Sequence, residues 1–485
     1  MIRILRLLQN IPAFLGLMVL PWLLGSCSNI NHKQSTLDPK GIVAQNQYDI
    51  FMLSIWITIF LFCAVGGCLL FVLWKYRVKG EDDAKEIPPQ THGNPKIETS
   101  LILFSSLILV ILAIPTLQGI VLFNRVPDPN DTEMLKKLKL ERSAVEDAIT
   151  VNVTGKRFFW VFEYPEYGIV TANELVFPAS KAVRLNLRTT DVIHSFWLPK
   201  LAGKMDLMPG QENFIWFVAD QEKLLFQTDK EGHKTPATIA EAMPAVHDGS
   251  LREAVFKDRS FFDEFDPVGG LFYGQCAEFC GNSHAYMQFR AMAQTDADFD
   301  EWVHRFQSLQ AKEKPEQYNS EKAYKAGDTV LLKDSSLGEK AHREWQAAVD
   351  VDKGQAPEVG NEAWKKKNQD DYEMGRNHFQ TSLCTQCHAV NSTGLGAIGP
   401  NLTLFGLRTS LAAGWMQNDR KNLTEWLRDS DKIKFGNLMW NHEVVKNYQP
   451  TEEEKDKGVV QHPVRELKND PKKIEQLVTY LLGQN

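Results

Sequence analysis

Two uninterrupted apolar segments, Ile50 to Trp74 and Ile97 to Phe123, stand out in an otherwise mixed pattern of hydrophobic and polar positions. Each reaches the ~20 residues that a bilayer-spanning helix needs, and neither holds a charge apart from Glu98 in the first turn of the second. The pattern predicts a transmembrane helical hairpin within 45–125. The turn between the helices carries Lys75, Arg77, Lys79, Lys85 and Lys96. Basic loops stay on the cytoplasmic side and acids count little, so Glu81, Asp82, Asp83 and Glu86 do not reverse the assignment. Both ends of the chain then face outward. Gly66 and Gly67 allow close helix contact, and Cys63 and Cys68 read as small packing residues. Upstream, Arg3 and Arg6 precede a shorter apolar stretch, Ile11 to Leu24, that ends Leu24-Gly25-Ser26-Cys27. Charge, apolar run and small residues in that order make an export signal over 1–27. The alternative, an uncleaved third helix, must accommodate the short length and the interruptions at Pro12 and Pro21.

After Phe123 the period changes. Ala148 to Gly155, Phe158 to Tyr164, Val183 to Thr189, Phe214 to Val218 and Gln288 to Ala293 alternate or are rich in β-branched and aromatic residues, which predicts strands and a Greek-key β-sandwich over 148–310. Gln221 to Pro267 interrupts that region with interspersed Lys, Asp and Glu and reads as a surface insertion, 221–267. From 311 to 370 the chain is charged and broken by Pro315, Gly327, Gly338, Gly354 and Pro357, and reads as a linker with some helix, such as Ser336 to Val349. The last segment, 371–485, is helical: Tyr372 to Ser382 and an amphipathic run from Pro471 to Leu482 bound it.

Composition narrows the function classes. A length of 485 residues suggests about three domains at ~150 residues each, and 43% hydrophobic content with 10% aromatics supports packed cores. The net charge of -7 argues against a nucleic-acid partner. The seven cysteines leave no structural disulfide set once each is placed.

The chemistry concentrates in two motifs. Residues 276–287 read Cys-Ala-Glu-Phe-Cys-Gly-Asn-Ser-His-Ala-Tyr-Met, which puts two thiols, an imidazole and a thioether in one loop. Such soft and borderline donors favour copper. Bridging thiolates at Cys276 and Cys280 suit a two-copper core, with His284 and Met287 each capping one metal. A strained disulfide or half a zinc site with His284 are the alternatives, and neither explains Met287. The second motif, Cys384-Thr385-Gln386-Cys387-His388, is the c-type haem attachment pattern. Its histidine becomes the proximal iron ligand. A redox dithiol or zinc knuckle is the alternative.

Together with His194 in His-Ser-Phe-Trp-Leu-Pro, the cysteine loop resembles subunit II of the haem-copper cytochrome oxidases, and the C-terminal segment with Gly399-Pro400-Asn401-Leu402 is similar to a class I cytochrome c. The resemblance implies a multidomain chain: a membrane hairpin, an all-β cupredoxin sandwich and an all-α cytochrome c domain. It implies a binuclear copper centre, CuA, on His194, Cys276, Glu278 through its backbone carbonyl, Cys280, His284 and Met287, with the Glu278 carboxylate turned to a magnesium ion shared with subunit I. It also implies that Met439, in Lys434-Phe435-Gly436-Asn437-Leu438-Met439, is the sixth iron ligand, with Met416 as rival, and that the Pro400 carbonyl holds His388. Cys27 looks like the lipidated cysteine of a bacterial lipobox. Ile97-Glu98-Thr99 resembles the entrance of a proton path into subunit I, although Glu98 also suits a helix N-terminus by itself. Lys204 to Gly210 looks like a contact with subunit I.

The family implies an aerobic respiratory oxidase of the bacterial inner membrane, multi-pass, with its large domains on the periplasmic side. Electrons would pass from a donor to haem c, to CuA and on to subunit I, where oxygen reduction is coupled to proton pumping. Trp160 matches one tryptophan of the family's electron-entry region, but Phe158 stands where the family has the exposed tryptophan that meets soluble cytochrome c. A soluble cytochrome, a small copper protein or a docked quinol-oxidising complex all fit as donor, and the long insertion favours the last. Rival readings are a quinol oxidase subunit II, which lacks copper ligands, a nitrous oxide reductase, which needs a propeller domain, and an electron carrier or copper chaperone without an oxidase partner.

Overall fold

The computed structural model describes residues 34–77, 93–220, 226–228, 234–236, 270–311 and 316–484, the last span excepting 327, 334–341, 359–361, 367–369, 392–393, 395–397, 440–442, 453–454, 456–464, 466 and 468. The export segment with Cys27, the middle of the basic turn and most of the 221–267 insertion therefore lie outside the described residues.

Helices α1 (Ile42–Lys75) and α2 (Pro95–Phe123) are each long and apolar enough to cross a membrane. α2 starts as its sequence dictates. The Asn94 side chain accepts from the amides of Lys96 and Ile97, Pro95 takes the first helical position, and Glu98 sits in the first turn, where an acid complements the helix dipole. α1 begins at Ile42 rather than at Ile50. Its polar first turns are not apolar enough to register as a membrane span, and what holds them is the sandwich: Val43 and Ala44 are buried, and the amides of Ile42 and Ala44 donate to the carbonyls of Val218 and Leu201 at 3.3 and 3.4 Å. At the other end of the hairpin, the Trp216 indole donates to the Phe123 carbonyl at 3.0 Å. Short helices α3 (Thr132–Leu138) and α4 (Arg142–Glu146) fill the junction with Leu135, Leu138 and Val145 packed near Trp216.

Two five-stranded sheets then face each other. The first orders β3 (Ile169–Ala172), β2 (Phe159–Tyr164), β1 (Ile149–Lys156), β5 (Val183–Thr189) and β8 (Asn213–Phe217). The second orders β4 (Glu174–Pro178), β12 (Gln288–Gln294), β11 (Leu271–Cys276), β6 (His194–Trp197) and β7 (Lys204–Leu207). The alternation that predicted five strands is the burial pattern itself: in β2, Trp160, Phe162 and Tyr164 point inward and are fully buried. The Trp160 and Phe162 rings meet Phe196 and Phe289 of the opposite sheet edge-on. The Tyr164 hydroxyl is satisfied by the amide and carbonyl of Val176, each at 2.8 Å, which ties the two sheets together. β3, β4, β6, β7 and β11 escaped the pattern. Two further strands of the insertion, β9 (Phe226–Thr228) and β10 (Lys234–Pro236), pair with each other. Helix α5 (Asp296–Ala311) closes one side with Phe299, Val303 and Phe306.

The stretch expected to be a linker contains a small sheet instead. β13 (Glu316–Gln317), β14 (Thr329–Lys333), β15 (His342–Ala347) and β16 (Trp364–Lys366) pair in that order, so in the described part of the helix expected over Ser336 to Val349, His342–Ala347 is a strand. The reason is spacing: Trp345 and Ala347 both turn inward, a period of two, onto Tyr324, Val330 and Trp364. Widely separated aromatics make this core, and a local reading of charges and breakers does not find it.

The C-terminal unit packs α6 (Asp370–Thr381) against α9 (Pro471–Leu482), with the hairpin β17 (Ser410–Leu411) and β18 (Met416–Gln417), α7 (Arg420–Ile433) and α8 (Glu443–Lys446) between them. The α6–α9 crossing is close because Gly375 has no side chain: a Cβ there would lie 2.0 Å from the Gln476 carbonyl oxygen. Gly375→Ala is expected to lower the stability of this unit by about 2 kcal/mol or more, since overpacking forces the backbone apart. Thermal unfolding of the full chain followed by circular dichroism tests this, and an unmoved transition would show that the helices separate without cost.

Candidate functional site

The sandwich brings His194 and the cysteine loop to one rim. His194 opens β6, Cys276 ends β11, and the two strands pair with Cys276 opposite Phe196. The ladder continues one step into the loop, where the Ala277 amide donates to the Ser195 carbonyl at 2.9 Å. The loop returns on itself through the Cys276 amide, bonded to the Met287 carbonyl at 2.9 Å.

All six residues anticipated as copper donors meet there. Cys276 Sγ lies 3.9 Å from His194 Nδ1, 3.8 Å from Cys280 Sγ and 3.2 Å from the Glu278 carbonyl oxygen. Cys280 Sγ lies 3.7 Å from His284 Nδ1 and 3.8 Å from Met287 Sδ. The sulfurs are far beyond the ~2.0 Å of a disulfide bond, and both cysteines are free. His194, Cys276, Cys280 and Met287 are buried, whereas the Glu278 side chain is exposed. Two facing sulfurs flanked by imidazoles, a thioether and a carbonyl fit a soft, thiolate-bridged metal pair better than a four-ligand zinc site.

The electrostatics prepare the donors. The Cys276 thiol is pushed down to about 4, mainly by its hydrogen bond with Cys280, with His194 adding to the effect against burial. Cys280 moves up because its partner takes the negative charge first. His194 Nε2 meets Asp191 Oδ1 at 2.8 Å, leaving Nδ1 toward the sulfurs. Burial alone would lower the His194 pKa, but the bonds with Asp191 and Cys276 raise it. Asp191 is itself desolvated, yet His194 and the amides of Arg157 and Val192 hold its carboxylate well below the usual range. No motif singled out Asp191, although a carboxylate three residues before a candidate ligand is a readable signal. Trp160 packs edge-on to His194 with ring centroids 6.1 Å apart, buried in the core.

A second site faces this one. A cavity of about 390 Å³ is lined by Cys384, Cys387, His388 and Met439, by apolar residues such as Phe405 and Leu423, and on its far side by Arg157, Phe158 and Asp191 of the sandwich. His388 Nδ1 meets the Pro400 carbonyl at 2.9 Å, as expected. Its ring lies on Gly399, where a Cβ would fall 2.6 Å from Cε1. Burial raises the Cys384 thiol to about 12 and lowers the His388 pKa. The Met439 amide donates to Asn437 Oδ1 at 3.0 Å, fixing the loop that presents it. Met416 lies in the β17–β18 hairpin, paired with Leu411. Phe158, at the position where the resemblance implies an exposed tryptophan, is buried beneath this C-terminal unit. The two cysteines, the oriented histidine and the apolar walls fit a covalently held haem.

Residues 168–232, which include His194, match the family described as cytochrome c oxidase subunit II, periplasmic domain. Cytochrome c oxidase subunit 2 of Alkalihalophilus pseudofirmus is 29% identical over 435 residues, 90% of this chain and 92% of the relative. The chain is similar to cytochrome c oxidase subunit II along nine tenths of its length. Within the wider group, quinol oxidase subunit 2 of Bacillus subtilis (strain 168) is 28% identical over 305 residues, covering 63% of this chain and 75% of that protein. The crystal structure of the periplasmic domain of subunit II of cytochrome oxidase from Bradyrhizobium japonicum is 26% identical, covers 32% of this chain and 91% of that domain, and gives a TM-score of 0.22. This similarity to subunit II accords with two helices long and apolar enough to cross a membrane followed by a sandwich carrying the donor ring.

Two outcomes test the donor ring. Asp191→Asn is expected to weaken metal binding by about 10- to 100-fold, the usual effect of losing an outer carboxylate partner of a ligating histidine, as measured by competition with a chelator. In the metal-free chain, thiolate absorbance from one cysteine should persist as the pH falls to about 4, where Cys276 takes up its proton. Loss of that absorbance already near the ordinary thiol range of ~8.5 would refute the assignment.

Proposed function

We propose that the chain is subunit II of a bacterial aerobic haem-copper cytochrome c oxidase with a class I cytochrome c fused at its C-terminal end, and that it feeds electrons through the haem site and the copper site to subunit I for reduction of oxygen to water coupled to proton pumping. The observation that carries this reading is the cluster of six donors, two of them the sulfurs of free cysteines. Copper on His194, Cys276, Glu278, Cys280, His284 and Met287 and a haem on Cys384 and Cys387 with His388 and Met439 supply two one-electron carriers when bound. The chain holds them ready. Asp191 and Pro400 orient the two histidines through their outer nitrogens, and the sandwich core with Trp160 keeps water from the buried donors.

The intact donor loop favours a cytochrome c oxidase over a quinol oxidase. The covered Phe158 favours electron entry through the C-terminal unit, so the donor, whether a soluble cytochrome c, a copper protein or a docked quinol-oxidising complex, would meet that unit first. The exposed Glu278 carboxylate is free to reach a magnesium ion shared with subunit I, and Glu98 at the exposed start of α2 suits the proton-path entrance. Placement in the bacterial inner membrane through both α1 and α2, with lipidated Cys27 beside them and the large domains outside, completes the reading.

Metal and haem analysis with electron paramagnetic resonance on the purified full chain tests it. Two coppers and one covalent haem per chain are expected, with a mixed-valence copper signal that Cys276→Ser abolishes while the haem spectrum stays. Haem without copper, or a single zinc, would refute the copper assignment.

A further inference from the structure

Lys434 is 2% exposed, although lysine is among the residues least often buried. It belongs to the C-terminal unit, and its ammonium donates to the Ala412 carbonyl of the same unit at 3.1 Å and to the Phe158 carbonyl of the sandwich at 2.6 Å. The Phe158 ring in turn lies against Gly281, next to Cys280, and forms part of the wall of the His388 cavity. The residues after Lys434 touch the copper loop directly: the Ser283 hydroxyl donates to the Phe435 carbonyl at 2.5 Å, and Gly436 sits on Asn282.

Other bonds cross the same boundary. The Gln288 amide donates to the Ala413 carbonyl at 3.0 Å, Arg290 Nη2 donates to the Gly414 carbonyl at 2.6 Å, and the Tyr286 and Trp415 rings meet at a tilt with centroids 4.3 Å apart. Glu174, 5% exposed, accepts from the amide and hydroxyl of Thr409 at 3.0 and 3.1 Å. A unit that swung on its tether would leave these groups to water for much of the time, and then nothing would select a lysine whose ammonium bonds two carbonyls on opposite sides of the boundary. A buried ammonium costs desolvation, and it is offset in one docked position where both carbonyls are in reach.

We propose that Lys434 is a positioning residue that locks the C-terminal unit onto the copper loop in a single pose, so that the His388 cavity and the donor ring form one rigid body. The functional consequence, electron transfer across a fixed gap with no docking step, rests on the reading above; the lock itself does not.

Hydrogen–deuterium exchange on the full chain in detergent, wild type against Lys434→Met, tests the lock at two amides that are bonded across the boundary, Gln288 and Thr409. Exchange at both is expected to accelerate at least tenfold in the variant, while amides inside β1, β5 and α9 keep their protection. Unchanged protection at Gln288 and Thr409 would overturn the proposal. If α9 also loses protection, the variant has unfolded the unit, and the wild type decides: after flash reduction of the loaded chain, a haem-to-copper rate independent of solvent viscosity supports the lock, and a rate that falls with viscosity overturns it. Absence of covalent haem or copper in the wild type would sink the relay reading alone, leaving the exchange result to judge the lock.

Discussion

The pairing of β6 with β11 is the constraint on which the rest depends. It is a short ladder, Gln275 opposite Trp197 and Cys276 opposite Phe196, yet it sets a histidine and a cysteine 82 positions apart in the chain at 3.9 Å. Successive strand residues face opposite sides, so a slip of one residue would turn Cys276 away from His194 and carry the loop with it. The sandwich core fixes that register from beneath. Phe196 stacks on Phe289 at 4.4 Å and both close on Trp160, so a slipped pairing would also expel a large ring from the core. Fold stability and donor geometry are in this sense one problem.

The donor loop was legible because its chemistry is dense and local. Cys276, Glu278, Cys280, His284 and Met287 lie within twelve positions, and their side chains need only one tight return to converge. His194 could be joined to them only through a resemblance, because the ladder that unites them is two residues long and leaves no periodic trace. The same contrast runs through the fold. Long alternating strands such as β1 and β5 announce themselves, whereas β6, β7 and β11 acquire their conformation from neighbours. The small sheet at 316–366 is the plainest failure of local reading. Its core of Tyr324, Trp345 and Trp364 is sparse along the chain and contiguous only in space, so charges and breakers suggested a linker.

What no local pattern carried is the boundary between the units. Lys434, Arg408, Arg290 and Glu174 look in the sequence like ordinary surface charges, and the structure buries or half-buries all four at one contact. Burial lowers the pKa of Lys434 to about 7 and that of Arg408 to about 10, and raises that of Glu174. Such groups disfavour mismatched docking more than they favour docking as such, since any displaced pose leaves a charge or carbonyl without a partner. Phe158 fits the same picture. An aromatic that would be a landing site on an isolated sandwich becomes a wall of the neighbouring cavity.

The early start of α1 has a mechanical meaning. Its first turn is already bonded to Val218 and Leu201 of the sandwich, and the same helix runs on without interruption to Lys75. The periplasmic body is thus mounted on a stiff post rather than hung from a flexible cord. Adding or removing one residue along that post would shift the body by ~1.5 Å in height and turn it by about 100° around the helix axis. Such a rod can change length without swinging its load to a new heading only in near-whole turns.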